Sequence, residues 1–369
     1  MSVLAEATQH QSAARVALEA AVATPHHAYL FLGPRGTGKR KAARAFAAEI
    51  LAAGVADPED ARRRALIDPS PHPDLVWLTP PGTQHLVEEV RERVIRGAAY
   101  RPFEGERRAF VIEDADAMAD ESQNALLKTL EEPPPFAHLV LLSSEPAALL
   151  ETVVSRCQPV RFAALSPEAV EERLAGAAAE GPEAERRAAA RLCGGDADRA
   201  LFLLTDGGRQ LRGRAEACAR AARAGELADT PWLGLLEVAE AAGEEAAGVA
   251  SSRVAEREQA LRGERARTKG AEEAGRRAGR RRRTEVLDLG LALCGTWFRD
   301  LAAVGEGAPR LADNADRADE LGADAEGLDP RAPRRAAELV LDTRRRLRVN
   351  VSEQLALEAL FYRVESTLR

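Results

Sequence analysis

Apolar and polar positions follow two different rhythms along this chain. Up to about residue 163, short apolar runs of strand length alternate with stretches whose apolar residues recur every three or four positions. The runs are Tyr29–Leu32, Asp74–Leu78, Arg108–Ile112, His138–Leu142 and Gln158–Phe162. Between them the pattern predicts helices over Arg40–Ala53, Gln84–Ala99 (Leu86, Val87, Val90, Val94, Ile95) and Asp120–Glu132 (Leu126, Leu127, Leu130). Residues 1–24 read as one amphipathic helix ending at Thr24-Pro25, and Gly54–Pro73 as a polar, proline-punctuated connection. Strands that are apolar throughout and alternate with helices predict a parallel sheet covered on both faces. From Ser166 the strand signals stop. Three short helices are expected over 166–206, broken at Gly194-Gly195-Asp196, and the rest of the chain is helical in pattern. Residues 241–283, rich in Ala, Glu, Arg and Gly, read as exposed helix with flexible breaks. Periodicity returns at Val286–Leu301 and Ala336–Val364, on either side of a Gly/Pro-containing acidic connection, Gly305–Pro333.

Composition narrows this picture only a little. A chain of 369 residues has room for two or three cores, and 4% aromatics with 30% charged residues favours helices over a β-sandwich. A net charge of −7 argues against a polyanion binder as a whole. The arginines at 276, 277 and 280–283 form a local basic run that is read as a solvated or acid-paired helix face before a DNA contact. Trp232/Leu233 and Trp297/Phe298 read as core or interface anchors. Four scattered cysteines without a C-x-x-C pair point to a reducing compartment, and no uncharged apolar run reaches about 18 residues. The expectation is a soluble cytoplasmic protein with no membrane partner and no metal site.

Candidate chemistry begins at Leu30–Lys41, LFLGPRGTGKRK. An apolar strand runs into a turn with Gly33, Gly36 and Gly38 and leaves through Lys39 into a helix. Such a loop lets backbone N–H groups converge on phosphate oxygens while the lysine reaches the outer phosphates. The next position departs from the motif, because Arg40 stands where a Ser or Thr hydroxyl would hold Mg²⁺. A hydrolase also needs a strand ending in carboxylates for metal and water. Phe110–Ile112 delivers Glu113 and Asp114, in the reverse of the usual Asp-Glu order, so each charge would be displaced by about one bond, enough to slow turnover roughly a hundredfold. The alternative reading of the pair is a solvated strand-to-helix turn.

The run Glu121–Pro134 (ESQNALLKTLEEPP), followed by Ser155-Arg156-Cys157, resembles the AAA+ subunits of the bacterial DNA polymerase III clamp loader. These motifs are shared by the delta-prime and gamma/tau types, and Arg40 with the Glu-Asp order favours the delta-prime type. His72-Pro73-Asp74-Leu75 and, more loosely, Arg344–Leu360 add to the resemblance. It implies an α/β AAA+ P-loop core (1–163), a small helical lid (164–206) and an all-α collar (207–369). By position it implies that Arg156 is an arginine finger acting in trans on a neighbour's nucleotide, and that Arg199 is the candidate second sensor in the lid, a plain solvated helix face being the other reading. Many members carry four zinc-binding cysteines after the phosphate loop; residues 40–109 contain none, so no zinc is expected. The implied partners are gamma/tau and delta subunits and, through the complex, the sliding clamp and primed DNA. The degenerate site of Gly33, Gly36, Gly38, Lys39, Arg40, Glu113, Asp114 and Arg199 would hold ATP or ADP without turnover, with no cofactor required. Two rivals stay open: an active gamma/tau-type ATPase, and a helical scaffold with a vestigial nucleotide domain.

Overall fold

A computed structural model describes residues 2–80, 84–176, 182–262, 268–347 and 351–369. The chain forms two compact units, Met1–Leu165 and Ser166–Arg369.

The first unit contains α1 (Val3–Ala7), α2 (Ser12–Ala23), β1 (Ala28–Leu32), α3 (Lys39–Leu51), α4 (Pro58–Leu66), β2 (Leu75–Leu78), α5 (Val87–Glu89), β3 (Arg108–Ile112), α6 (Asp120–Glu131), β4 (Ala137–Ser143), α7 (Glu151–Val154) and β5 (Gln158–Arg161). All five strands are parallel, in the order β2-β3-β4-β1-β5. Side chains alternate across a strand, and here both faces are dry. Tyr29, Phe31, Val111, Val140 and Val160 pack with Leu18, Phe46 and Ile50 on one side. Leu30, Phe110, Ile112, Leu139 and Leu141 pack with Val90, Val94, Leu126 and Leu130 on the other. Burial on two faces is why the inner strands β1, β3 and β4 read as nearly continuous apolar runs, whereas the edge strand β5 buries only Val160.

Three expectations for this part of the chain, and one for the second unit, need correction. Residues 1–24 are two helices, not one: the chain breaks between Ala7 and Ser12, where the Thr8 hydroxyl donates to the Leu4 carbonyl (2.6 Å) and Gln11 Nε2 donates to Thr37 O (3.1 Å) and Ala163 O (2.8 Å). The connection Gly54–Pro73 contains α4. Asp57 caps it by accepting from Asp60 N, Pro58 sits in its first turn and Arg63 and Arg64 close its last, so caps and charges make a helix that has few large apolar residues. Over Gln84–Ala99 the helix is not regular: Val87–Glu89 is α-helical but Val90–Arg96 is wound as a π-helix that buries Val90 and Val94, and Leu86 ahead of it is exposed. Further on, the connection Gly305–Pro333 carries a helix of its own, Ala318–Ala325.

The second unit is all helical: α8 (Pro167–Gly176), α9 (Glu183–Leu192), α10 (Ala197–Leu203), α11 (Asp206–Ala224), α12 (Leu233–Arg262), α13 (Thr268–Gly305), α14 (Ala318–Ala325), α15 (Arg331–Arg346) and α16 (Glu353–Leu368). Trp232 stacks on Phe361 with ring centroids 6.0 Å apart, and Trp297 and Phe298 are buried, so these pairs are core. Residues 241–283 are not simply exposed helix. α12 and α13 pack on small residues, with the backbones of Gly243 and Gly279 so close that a Cβ on either would stand 2.9 Å from the other's carbonyl oxygen. Residues 263–267, where the expected breaks fall in part, lie outside the described residues. The basic run is largely engaged: Arg277 with Glu273, Arg281 with Glu285, Arg283 with Glu240 and Glu353, and Arg282 over the Phe202 ring. Among the described residues, no helix is long and apolar enough to cross a membrane.

Candidate nucleotide site and exposed arginine

Because every strand of the sheet points the same way, the loops after β1, β3 and β4 emerge on one edge. The sequence-predicted residues Gly33, Gly36, Gly38, Lys39, Arg40, Glu113 and Asp114 all lie there. Gly36 (φ 67°) and Gly38 (φ 97°) adopt left-handed backbone that glycine tolerates, and Gly33 passes so close to Phe162 that a Cβ would stand 2.1 Å from its carbonyl oxygen. Gly38 precedes α3 with no side-chain cap, so the first-turn N–H groups face the loop. The Lys39 ammonium donates to Gly33 O (2.5 Å), Pro34 O (2.6 Å) and Ser144 Oγ (3.3 Å), the last contact tying the loop to the end of β4.

Arg40 reaches across the site with about half of its side chain still exposed. Its guanidinium meets Asp68 Oδ2 at 2.8 Å, its Nε lies 3.7 Å from Glu113 Oε2, and it sits over Trp77 at 5.9 Å. Arg44 shares Asp68 (2.9 Å) and stacks on Trp77 at 4.3 Å; burial and the neighbouring Arg40 charge push its pKa down, against the pull of Asp68. The same Glu113 oxygen accepts from Trp77 Nε1 (3.2 Å) and Thr79 Oγ1 (3.0 Å), while its backbone carbonyl meets His85 Nε2 at 2.7 Å. Asp114 is in left-handed backbone (φ 48°) with Arg35 3.8 Å from its carboxylate. Mg²⁺ demands near-octahedral oxygen ligands. This donor set does not fit it: no hydroxyl follows Lys39, and the Glu113 oxygen that would face the ion is already beside a guanidinium.

Two motifs far apart in sequence meet elsewhere in the first unit. The end of α6 brings Glu131 to Arg156, whose Nη2 donates to Glu131 Oε1 at 2.6 Å and whose Nη1 donates to Thr152 O (2.9 Å) and Ser155 Oγ (3.4 Å). About a third of the Arg156 side chain stays exposed, at a cleft of about 560 Å³ lined also by His26, His27, Leu130 and Cys157. Burial pushes the Cys157 thiol up to about 12, so it stays protonated beside the arginine. Burial also holds His27 below the ordinary histidine value, helped by His26.

Some positioning residues carried no chemical signal in the sequence. Buried Gln123 donates to Met118 O and Ala148 O and accepts from Leu150 N, which fastens α6 to the start of α7 and so to the segment bearing Arg156. Buried Asp74 accepts from the backbone of Phe103 and Glu104 and faces Arg108 Nε at 3.4 Å. Both belong to runs that carried the family resemblance, which was the only available hint. Arg199 lies in the second unit, at the start of α10, and is engaged there by Asp288 (2.8 Å) and Asp196 (3.6 Å). Arg344 makes two further bonds to Asp288, each 2.8 Å; burial favours the neutral acid, yet the two guanidiniums hold Asp288 below the usual carboxylate range.

Residues 8–166 match the family model described as DNA polymerase III, delta subunit. The delta' subunit of DNA polymerase III from Bacillus subtilis is 37% identical over 153 residues, 40% of this chain and 45% of that relative. The delta' subunit from Pseudomonas aeruginosa is 36% identical over 137 residues, 36% of this chain and 41% of its own length. The tau/gamma subunit from Haemophilus influenzae is 33% identical over 156 residues, 41% and 22% of the two chains. The chain thus spans less than half the length of these curated relatives. A gamma subunit-related protein from Thermotoga maritima aligns over 97% of this chain and 100% of its own, at 14% identity and a TM-score of 0.41, a likeness too slight to bear on function.

Proposed function

We propose that this chain, whose residues 8–166 match the family model described as DNA polymerase III, delta subunit, and resemble delta' subunits, is an AAA+ clamp-loader subunit that completes the loader's ATPase in the cytoplasm and donates Arg156 to a neighbouring subunit's nucleotide. In this reading it works beside gamma/tau and delta subunits, and through them on the sliding clamp and primed DNA. Residues 164–206 serve as lid and 207–369 as collar. The exposed Leu355 and Tyr362, seven positions apart on α16, offer the collar an apolar stripe for a neighbour.

The observation that carries the reading is the state of Arg156. About a third of its side chain is exposed at an open cleft; Thr152 O and Ser155 Oγ hold Nη1, while Nη2 is paired with the half-exposed Glu131, an ion pair that costs little to exchange for a phosphate. Phosphoryl transfer needs positioned positive charge more than it needs covalent chemistry, so an arginine offered from outside can complete a site it does not bind. The chain's own loop suits retention of ATP or ADP without turnover, because Arg40 and the engaged Glu113 leave no seat for Mg²⁺ or an activated water.

The test is ATP turnover by a reconstituted loader, with clamp and primed DNA, carrying wild-type chain or Arg156→Ala. An intact complex whose turnover falls at least tenfold, from a contribution of up to about 10³-fold at the site served, supports the trans-acting finger. Unchanged turnover in an intact complex removes Arg156 from catalysis. Turnover by the isolated chain that Lys39→Ala abolishes would favour an active gamma/tau-type ATPase instead.

A further inference from the structure

The loop Gly33–Lys39 has the backbone of a phosphate cradle, and a guanidinium stands beside it. Arg40 is the residue directly after the cradle lysine, on the first turn of α3, and its guanidinium reaches toward Glu113 at the end of β3. That is the span a divalent cation would bridge. Asp68 fixes the guanidinium from behind at 2.8 Å, and Trp77 lies beneath it. Asp68 is shared with Arg44, so a single carboxylate sits between two guanidiniums. Around the cradle Lys39, Arg35, Arg40 and Arg44 carry four positive charges, faced by Asp68, Glu113, Asp114 and, through Ser144, Asp116. A permanent cation with several N–H donors can meet phosphate oxygens directly. It would also repel a second cation brought in by the ligand.

We infer that this site binds a nucleoside polyphosphate as the free anion, with Arg40 in the role that Mg²⁺ plays at intact phosphate loops. The inference rests on the reading of Gly33–Lys39 as an anion-binding loop. It leaves the role of Arg156 untouched, and no step of phosphoryl transfer is asked of the site. Binding without a metal also explains why the loop can keep its glycines and lysine while losing the metal-binding hydroxyl: the charge requirement is met locally, and only catalysis is given up.

The experiment is a titration of the full chain against ribose-labelled ADP and ATP, followed by fluorescence anisotropy, in excess EDTA and in excess Mg²⁺. The wild-type chain should bind as tightly in EDTA as in Mg²⁺, or more tightly. Losing a charge-assisted contact, Arg40→Ser should bind roughly tenfold or more weakly in EDTA and recover part of that loss with Mg²⁺. Arg40→Lys keeps the charge, so it should stay independent of Mg²⁺, which separates electrostatics from any damage to the fold. Lys39→Ala should abolish binding in both conditions. Wild-type binding that Mg²⁺ strengthens about tenfold, or no binding in either condition, would overturn the inference. So would Arg40→Ser binding unchanged in EDTA. If Mg²⁺ strengthens binding and Lys39→Ala abolishes it, the loop reading survives and only the role of Arg40 falls. Binding insensitive to Lys39→Ala would remove the loop reading itself.

Discussion

The two units of this chain bring distant residues together by opposite means. In Met1–Leu165 a parallel sheet does the work: its strands all run the same way, and the loops of the candidate site lie at one edge. In Ser166–Arg369 long helices pack side by side, and residues far apart in sequence are joined by guanidinium-carboxylate pairs such as Arg199–Asp288–Arg344 and Arg212–Asp316. A sheet-edge site constrains residue type at fixed spacing, which leaves a motif in the sequence. A helix interface asks only for small or apolar residues at a period, which many sequences satisfy. The family match fits this contrast, ending at residue 166 where the second unit begins.

The contrast can be strained by substitution, with hydrogen exchange resolved along the chain as the common readout. Phe46→Ala removes a ring packed edge-on against Tyr29 (4.9 Å) and should cost the first unit about 3–5 kcal/mol. Equal loss of protection in both units would show that they fold as one. Gly279→Leu forces a side chain against Gly243 O and Ala247 Cβ, and should cost the second unit about 1–3 kcal/mol with the sheet unaffected. No change would mean that α12 and α13 are not packed on their small residues.

Asp288→Asn should cost about 1–2 kcal/mol at neutral pH by weakening two guanidinium contacts. The folded pKa of Asp288 lies below its unfolded value, so its contribution is complete above about pH 4 and fades as pH falls through the folded value. The difference between wild type and variant in chemical denaturation should therefore close in acid; a constant difference would mean the charge is not what matters.

The smallest effect is one of pH alone. All six histidines lie in the first unit. Burial pushes His72, His85 and His138 below the ordinary value, so the unfolded chain takes up protons first, near pH 6.5, and the first unit should lose stability from there downward. The second unit has no histidine, and Asp196 and Asp313, pushed up by burial, work in the opposite direction. Between about pH 7 and 5.5 protection, corrected for the intrinsic pH dependence of exchange, should fall in the first unit only. Parallel changes would contradict the assignment.

Legibility in the sequence followed the same divide. β3 was readable to the residue, because four successive apolar positions, Ala109–Ile112, buried on both faces have one simple pattern. The glycine turn after β1 was readable because its left-handed backbone restricts which residues can stand there. α4 was not, since its stability comes from caps and end charges in a segment whose prolines and polar residues suggest a loop. The packed faces of α12 and α13 were not either, because glycine and alanine at a helix interface look like glycine and alanine on a surface.

What the sequence determined by itself, then, was whatever local covalent geometry and periodicity dictate: strands, most helices, the glycine turn, and the loss of a hydroxyl at Arg40. Tertiary structure decided the partners. Arg40 could have pointed elsewhere, yet it is held by Asp68, 28 residues on, and by Glu113. Arg156 is met by Glu131, 25 residues earlier, where α6 ends. A long charged side chain samples many directions, and only the fold brings one counter-charge within its reach.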